Sequence, residues 1–447
     1  MTSFSRNVIS NASAHALGSI IQFVLGVCLA RWLTTVNYAA YVTAVALIGV
    51  TEMLSDFGLR IWAQRRFASV QGNAVETGEV FCHSIVVKVL FSLIFGLPLV
   101  VYPWMGLTLG EAVIAVCIAV TQPSTDPLLW FLRGRERLDI EASVLFAWRF
   151  VNALFIILAA WSGASIDMLL TLWFAINVAR VFIESRFELL KPARQYLNQL
   201  PTVIHVNELL RAAKEAFPIG ISFALMSFYH RLGVFLIGER GNSLDVAQFG
   251  AVFTLVASAG FVGTSITVSG FPALSRAIGK GLNREAEAIA YRKIKLIALI
   301  FLPACLVGMA LAPGVITLLY PAKFFPAAEA MPMLLAALFL SIVNFAMKYI
   351  LNGLLHNWWD AISAVLGILV FSLVCLLPRW SFQPAGAAFA WCAAEMAVFV
   401  VKAIVLKVDG RLSLPILPVV GMVFLFLWCT AWFSGPPIMD IYRSYVR

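Results

Sequence analysis

Charge is scarce in this chain. Only 12% of its 447 residues are Asp, Glu, Lys or Arg, about half the share usual in a soluble domain. Histidine occurs five times and carboxylates seldom stand close together, so acid–base or metal-assisted catalysis has few groups to draw on. No glycine-rich phosphate loop follows a strand-like run, and no polar stretch is long enough for a nucleotide-binding domain. The seven cysteines (Cys28, Cys82, Cys117, Cys305, Cys375, Cys392 and Cys429) all lie in apolar runs, with neither C-x-x-C nor Cys/His spacing. They read as small buried hydrophobes rather than disulfides or metal ligands. No cofactor and no metal are expected. The net charge of +9 is spread over many loops instead of one face, which argues against a nucleic-acid partner.

What is present is apolar surface. Hydrophobic residues make up 61% of the chain, and mean hydropathy is +0.91. A membrane helix needs about 20 mainly apolar residues, and about thirteen such runs can be counted. They are 11–30, 38–57, 80–102, 111–132, 142–161, 166–184, 217–237, 246–270, 294–320, 329–352, 361–377, 384–405 and 413–433. The fold class is therefore all-α, a polytopic membrane protein. Basic residues concentrate on alternate loops, around 60–66, 133–137, 186–214, 276–295 and 402–411. Arg31, Arg240, Lys323, Arg379, Arg443 and Arg447 fall on the other side. By the positive-inside rule the N-terminus is cytoplasmic, and an odd span count puts the C-terminal tail outside.

The longest polar interval divides the spans into six before and seven after. The expected organisation is an N-terminal six-helix lobe (1–187), a basic amphipathic cytoplasmic linker (188–216), a C-terminal six-helix lobe (217–407), and an extra helix with its tail (408–447). The two lobes are expected to flank a central cavity. Within the linker, 207–217 reads as a short amphipathic helix that Asn207 can cap, with Leu209, Leu210, Ala213 and Phe217 on one face. Pro218 then predicts a break or kink. The pair Tyr38-Ala-Ala-Tyr-Val-Thr43 and Phe249-Gly-Ala-Val-Phe-Thr254, at matching places in the halves, suggests a repeat about an axis along the membrane normal.

Ionisable groups at membrane depth cost about 2.5–3.5 kcal/mol each on insertion scales, so each calls for a reason. Several lie on helical stripes. Asn7, Asn11, His15 and Ser19 recur every four residues, with Gln22 nearby. Asn177, Arg180 and Glu184 share a face, as do Asn344, Lys348, Asn352 and His356. Such stripes face either a wet cavity or another helix. Arg180 and Glu184 suit a local ion pair. Lys348 between two asparagines suits a cavity. Lys88 has no evident partner on its own helix, and Arg149 shares a face only with Asn152. Arg231 follows Tyr229 and His230; the three point about 100° apart, so at most two can line one cavity. Arg31 suits either a helix C-terminus or a cavity mouth, and His15 either a helix contact or a proton carrier. The candidate cavity cations are thus Lys88, Arg149, Arg231, Lys348 and Arg31, with Asn11, His15, Gln22, Asn344 and Asn352 as polar lining. Asp56, Asp126 and Glu395, with His15, are the candidates for ion coupling. Asp56 can also pair with Arg60 one turn on.

Enzymes of the membrane make other demands. Transferases using lipid-linked sugars generally show acidic residues on an early outside loop, and 31–37 has none. Polymerases and ligases carry a long outside loop, whereas internal outside loops here are about ten residues or fewer, ordinary helix connections. Transport is favoured over catalysis.

Arg31-Trp-Leu33 with Tyr38, then Ser55-Asp-Phe-Gly-Leu-Arg60, then Arg65, Arg66, Phe67 and Ala68 resemble the N-terminal signature of the polysaccharide flippases. These are O-antigen and exopolysaccharide exporters of the multidrug/oligosaccharidyl-lipid/polysaccharide superfamily. Phe217-Pro-Ile-Gly220, Val246-Ala-Gln-Phe-Gly250, Phe271-Pro-Ala-Leu-Ser-Arg276, Leu318-Leu-Tyr-Pro-Ala-Lys-Phe324 and Ala327-Ala328 extend the resemblance to about residue 405. Ala39 and Pro321 stand where the family often has glycine, and a thirteenth helix departs from its usual twelve. The resemblance implies a non-enzymatic flippase of the bacterial inner membrane. Its substrate would be an oligosaccharide on an undecaprenyl-type pyrophosphate, carried by alternating access for surface polysaccharide biosynthesis. Membrane lipids and polysaccharide polymerase or assembly machinery would be its partners. Two alternatives stay open: a cation-coupled multidrug exporter of the same fold, and a membrane glycosyl- or acyltransferase with Asp126, between Pro123 and Pro127, as its best candidate.

Overall fold

The computed structural model describes residues 3–70, 74–101, 107–135, 137–186, 206–354, 356–377 and 383–412. Fifteen α-helices are described: α1 (Ser3–Trp32), α2 (Thr35–Asp56), α3 (Leu59–Ser69), α4 (Ala74–Val101), α5 (Leu109–Thr121), α6 (Asp126–Gly134), α7 (Leu138–Trp161), α8 (Ile166–Glu184), α9 (Val206–Arg240), α10 (Ser243–Gly279), α11 (Asn283–Ala310), α12 (Ala312–Leu319), α13 (Met331–Gly353), α14 (Asn357–Leu376) and α15 (Pro384–Asp409). The described residues include no strand. Among the described residues, eleven helical segments are long and apolar enough to cross a membrane, with α5 and α6 counted as one, and Ala16–Trp32 of α1 is a shorter apolar helix. The expected span at 413–433 lies outside the described residues.

The chain divides into two compact units, Met1–Arg231 and Leu232–Arg447. In the first, α1 packs on α7, the helices α2, α4 and α5 pack on one another, and α5 packs on α8. Helices α3, α4 and α6 share an aromatic core in which the rings of Phe67, Phe81 and Phe131 lie 4.8–5.5 Å apart, within the range of favourable aromatic pairs. In the second unit α13 is the central helix. It packs on α10, α11 and α15, and 83% of its most apolar window is buried, as befits a helix that is hydrophobic all round. Helices α7 and α8 bury far less of theirs and expose Phe155, Trp161 and Phe182, as expected of faces turned to lipid.

Three local features depart from the sequence expectations or sharpen them. The fourth expected span is not one helix. It is α5, a 3₁₀ turn (Gln122–Thr125), and α6. Pro123 and Pro127 withhold amide donors, and around the break hydroxyls bond to backbone carbonyls: Thr121 Oγ1 donates to Cys117 O at 2.8 Å and Ser124 Oγ to Val120 O at 2.8 Å. Side-chain satisfaction of this kind lets a membrane helix break. Conversely, α9 runs unbroken through Pro218 and absorbs the short helix expected at 207–217. One missing amide early in a long, packed helix is tolerated where a neighbouring backbone group finds another partner.

The third feature is the end of α2. Phe57 and Gly58 both adopt left-handed backbone angles, with φ of 35° and 82°, and α3 starts at the next residue. Asp56 accepts the Arg60 amide at 3.1 Å and pairs with its guanidinium at 3.8 Å, so the anticipated pair is present. The Phe57 ring meets Phe91, Phe95 and Phe217. Helix α9 comes so close here that a Cβ on Gly220 would collide with the Phe57 carbonyl. Backbone cannot yield as a side chain tip can, so Gly220→Ala is expected to cost about 2 kcal/mol or more. A lowered thermal midpoint of the purified protein would show it; an unchanged midpoint would mean that the helices separate freely.

Candidate functional site

In the first unit, charged side chains from four other helices meet around Glu52 of α2. Lys88 of α4 is 1% exposed and its ammonium lies 3.1 Å from Asp126 Oδ2. The break between α5 and α6 is what brings Asp126 there, at the first position of α6. Trp130, one turn on, offers its ring to the same ammonium at 5.2 Å. From the turn itself, Gln122 Nε2 donates to Glu52 Oε2 at 3.2 Å. Glu52 also lies within electrostatic reach of Asp126, Lys88, Asp56 and Arg231.

The two arginines are held differently. Arg149 of α7 lies over Gly18 of α1, where a Cβ would strike its guanidinium. Arg231 of α9 lies over Gly49 of α2, where a Cβ would sit 3.2 Å from Nη2. Both are half-buried, and both interact electrostatically with Glu52. Among the described residues, no side chain hydrogen-bonds or ion-pairs directly with either guanidinium. Glycine at 18 and 49 supplies the room for two forked cations beside one carboxylate. At the edge of the cluster, Arg180 donates to Glu184 at 2.8 Å, the local pair read from their spacing.

Lys88, Arg149, Arg231 and Asp126 are thus brought together. Gln22 and Arg31 are exposed on α1, Arg31 in its last turn. The side chains of Asn11 and His15 lie outside the described residues. Lys348 belongs to the second unit and its ammonium is 2.9 Å from Asp360 Oδ2. Asp360 reaches Lys402 through its other oxygen at 2.7 Å. All three are at most 4% exposed. Asn344 donates to Glu395 Oε2 at 2.7 Å, and its carbonyl accepts from Lys402 at 3.3 Å. The stripe of α13 therefore meets α14 and α15 at Asn344 and Lys348, while Asn352 is half-buried near its end. His356 completes the stripe at 2.6 Å from Asp409 Oδ1. Arg411 binds the same carboxylate and the Leu354 carbonyl; its hydrogen bond to Asp409 raises the guanidinium above its ordinary pKa.

Glu52, Gln122, Asp360 and Lys402 were not singled out in the sequence. A lone acid or amide in an apolar run, facing a cation on a distant helix, was the available signal. Chemically, the first cluster holds three cations against two carboxylates and offers two guanidinium forks to a planar or tetrahedral anion.

The sequence profile of a family described as polysaccharide biosynthesis protein matches residues 4–278, and that of the MatE family matches 218–378. No curated protein matches the chain by sequence. Among solved structures, the lipid II flippase MurJ in an inward closed conformation superposes with a TM-score of 0.63 at 11% identity, over 98% of this chain and 100% of that one. A Vibrio cholerae MATE transporter gives 0.62 at 12% identity, over 92% and 98%. A MOP superfamily transporter from Pyrococcus furiosus, described by the reverse polarity of its binding pocket, gives 0.57 at 16% identity, over 96% of each. At these identities the likeness is one of fold.

Proposed function

The chain belongs to the polysaccharide biosynthesis protein family, and on that ground we propose that it flips an oligosaccharide linked to an undecaprenyl-type pyrophosphate. The direction is from the cytoplasmic to the outer leaflet of a bacterial inner membrane, with the N-terminus cytoplasmic. Unaided, sugar hydroxyls and about two negative charges would have to leave water for hydrocarbon, which is prohibitive. A polar cluster exposed alternately to the two leaflets removes that barrier, while the lipid tail stays in the bilayer.

One observation carries the reading: the net-positive cluster of Lys88, Arg149 and Arg231 about Glu52, with both guanidiniums available to an incoming anion. Arginine forks fit phosphate oxygens in pairs. An exporter of organic cations would need the opposite balance at this site, although the MatE match over 218–378 keeps that class the natural comparison. A transferase would need Asp126 free to meet a substrate, and it is paired with Lys88.

The test is reconstitution. Purified protein in liposomes is expected to move a fluorescent polyprenyl diphosphate sugar between leaflets, read by its loss of accessibility to an external quencher. Movement no faster than in protein-free vesicles, with the protein shown to be folded, would refute the reading; release of a new covalent product would replace it with the transferase.

A further inference from the structure

Charge balance in the cluster points to more than anion binding. Its members are Lys88 from α4, Gln122 and Asp126 from the break between α5 and α6, Arg149 from α7, Arg231 from α9, and Glu52 itself. Asp56 lies one turn along α2 but pairs with Arg60, and Arg180 pairs with Glu184 on α8, so neither of those pairs changes the balance. Asp126 is held by Lys88 at 3.1 Å. Among the described residues the Glu52 carboxylate has only the neutral Gln122 amide as its hydrogen-bond donor, yet both guanidiniums interact with it electrostatically.

Three cations and two carboxylates leave one positive charge. A diphosphate diester brings two negative charges and would turn the cluster net negative, which is costly in a low-dielectric interior. One added proton restores neutrality. Asp126 is the poorer acceptor, because protonation would strip Lys88 of its ion pair. Glu52 loses the least: once phosphate oxygens occupy the two guanidiniums, its carboxylate is no longer needed there, and a protonated Glu52 can still accept from Gln122.

We propose that Glu52 is the resident counter-ion of Arg149 and Arg231, and that it takes up one proton from the aqueous side when a diphosphate displaces it. This rests on the reading of the cluster as a lipid-diphosphate site. Ligand binding and proton binding are then linked, each favouring the other by the same factor.

Calorimetry on the purified full-length protein tests this, with a short-chain polyprenyl diphosphate sugar as the probe. That probe is a diester whose own charge is constant around neutral pH. Titrations in buffers of different ionisation enthalpy give the protons taken up per ligand. About one is expected, with affinity falling by up to about tenfold per pH unit on the alkaline side. Glu52→Gln is expected to bind at least as tightly, with no proton uptake and no such slope. Wild-type binding without proton uptake overturns the counter-ion role and leaves the transport reading standing. Undiminished uptake by Glu52→Gln overturns it as well. No binding by the folded wild type at any pH overturns the lipid-diphosphate site, and this inference with it. Should the glutamine variant fail to fold, the wild-type proton count decides alone.

Discussion

Asp360→Asn is expected to remove most of the protein from the membrane. Asp360 is the shared counter-charge of two lysines that are each 1% exposed, at 2.9 and 2.7 Å. Asparagine keeps the shape but removes the carboxylate that the two ammonium groups share. Breaking a buried pair by removing one partner typically costs about 3–5 kcal/mol, and here two pairs go at once. A loss of that size exceeds the one or two kcal/mol that already change cellular abundance several-fold. Fluorescence-detected size exclusion of a tagged protein would read it as a lost monodisperse peak. Combining Asp360→Asn with Lys348→Met and Lys402→Met should restore the peak, because well-packed apolar groups replace buried ion networks with little or no penalty. A normal peak from the single variant would show that water reaches the lysines.

The second large effect is on transport without loss of protein. Arg149→Lys with Arg231→Lys keeps both charges and removes both forks. A hydrogen bond to a charged group is worth about 1.5–3 kcal/mol, so losing the paired geometry at two sites is expected to slow translocation about a hundredfold or more. Arg149→Gln with Arg231→Gln should go further still. Abundance of the lysine pair should be unchanged, since neither guanidinium holds a direct ion pair among the described residues. Lipid-linked glycan accumulating on the inner leaflet, at normal protein level, is the expected phenotype. Full surface polysaccharide in the lysine pair would mean that point charges suffice.

Local interactions were legible in the sequence because helix geometry is local. Asp56 with Arg60 and Arg180 with Glu184 follow from a four-residue spacing, and both form. Eleven of the thirteen expected spans were equally plain, since backbone satisfaction in lipid forces long apolar helices. What the sequence concealed was everything fixed across helices. Nothing near Lys88 names Asp126 as its partner, and nothing near Lys348 names Asp360. Gly18 and Gly49 look like any small residues until a guanidinium is seen to occupy the space their missing side chains leave. The prolines show how weak a local rule is once packing intervenes. Pro123 and Pro127 open a 3₁₀ turn at the site, while Pro218, expected to interrupt α9, sits within a continuous helix.

The Lys348–Asp360–Lys402 network also bears on how the chain enters the membrane as it is made. A lone Lys348 emerging on α13 would resist partitioning into lipid. Its carboxylate follows on the very next helix, so α13 and α14 form an electrically neutral hairpin. Helix α15 then arrives carrying both Glu395 and Lys402, neutral in its own right. Each insertion step is thus self-compensated, and the biosynthetic machinery need never release an uncompensated charge into the bilayer. Ribosome stalling between α13 and α14 should therefore yield a nascent chain retained at the translocation channel, and stalling after α14 one that has moved into lipid.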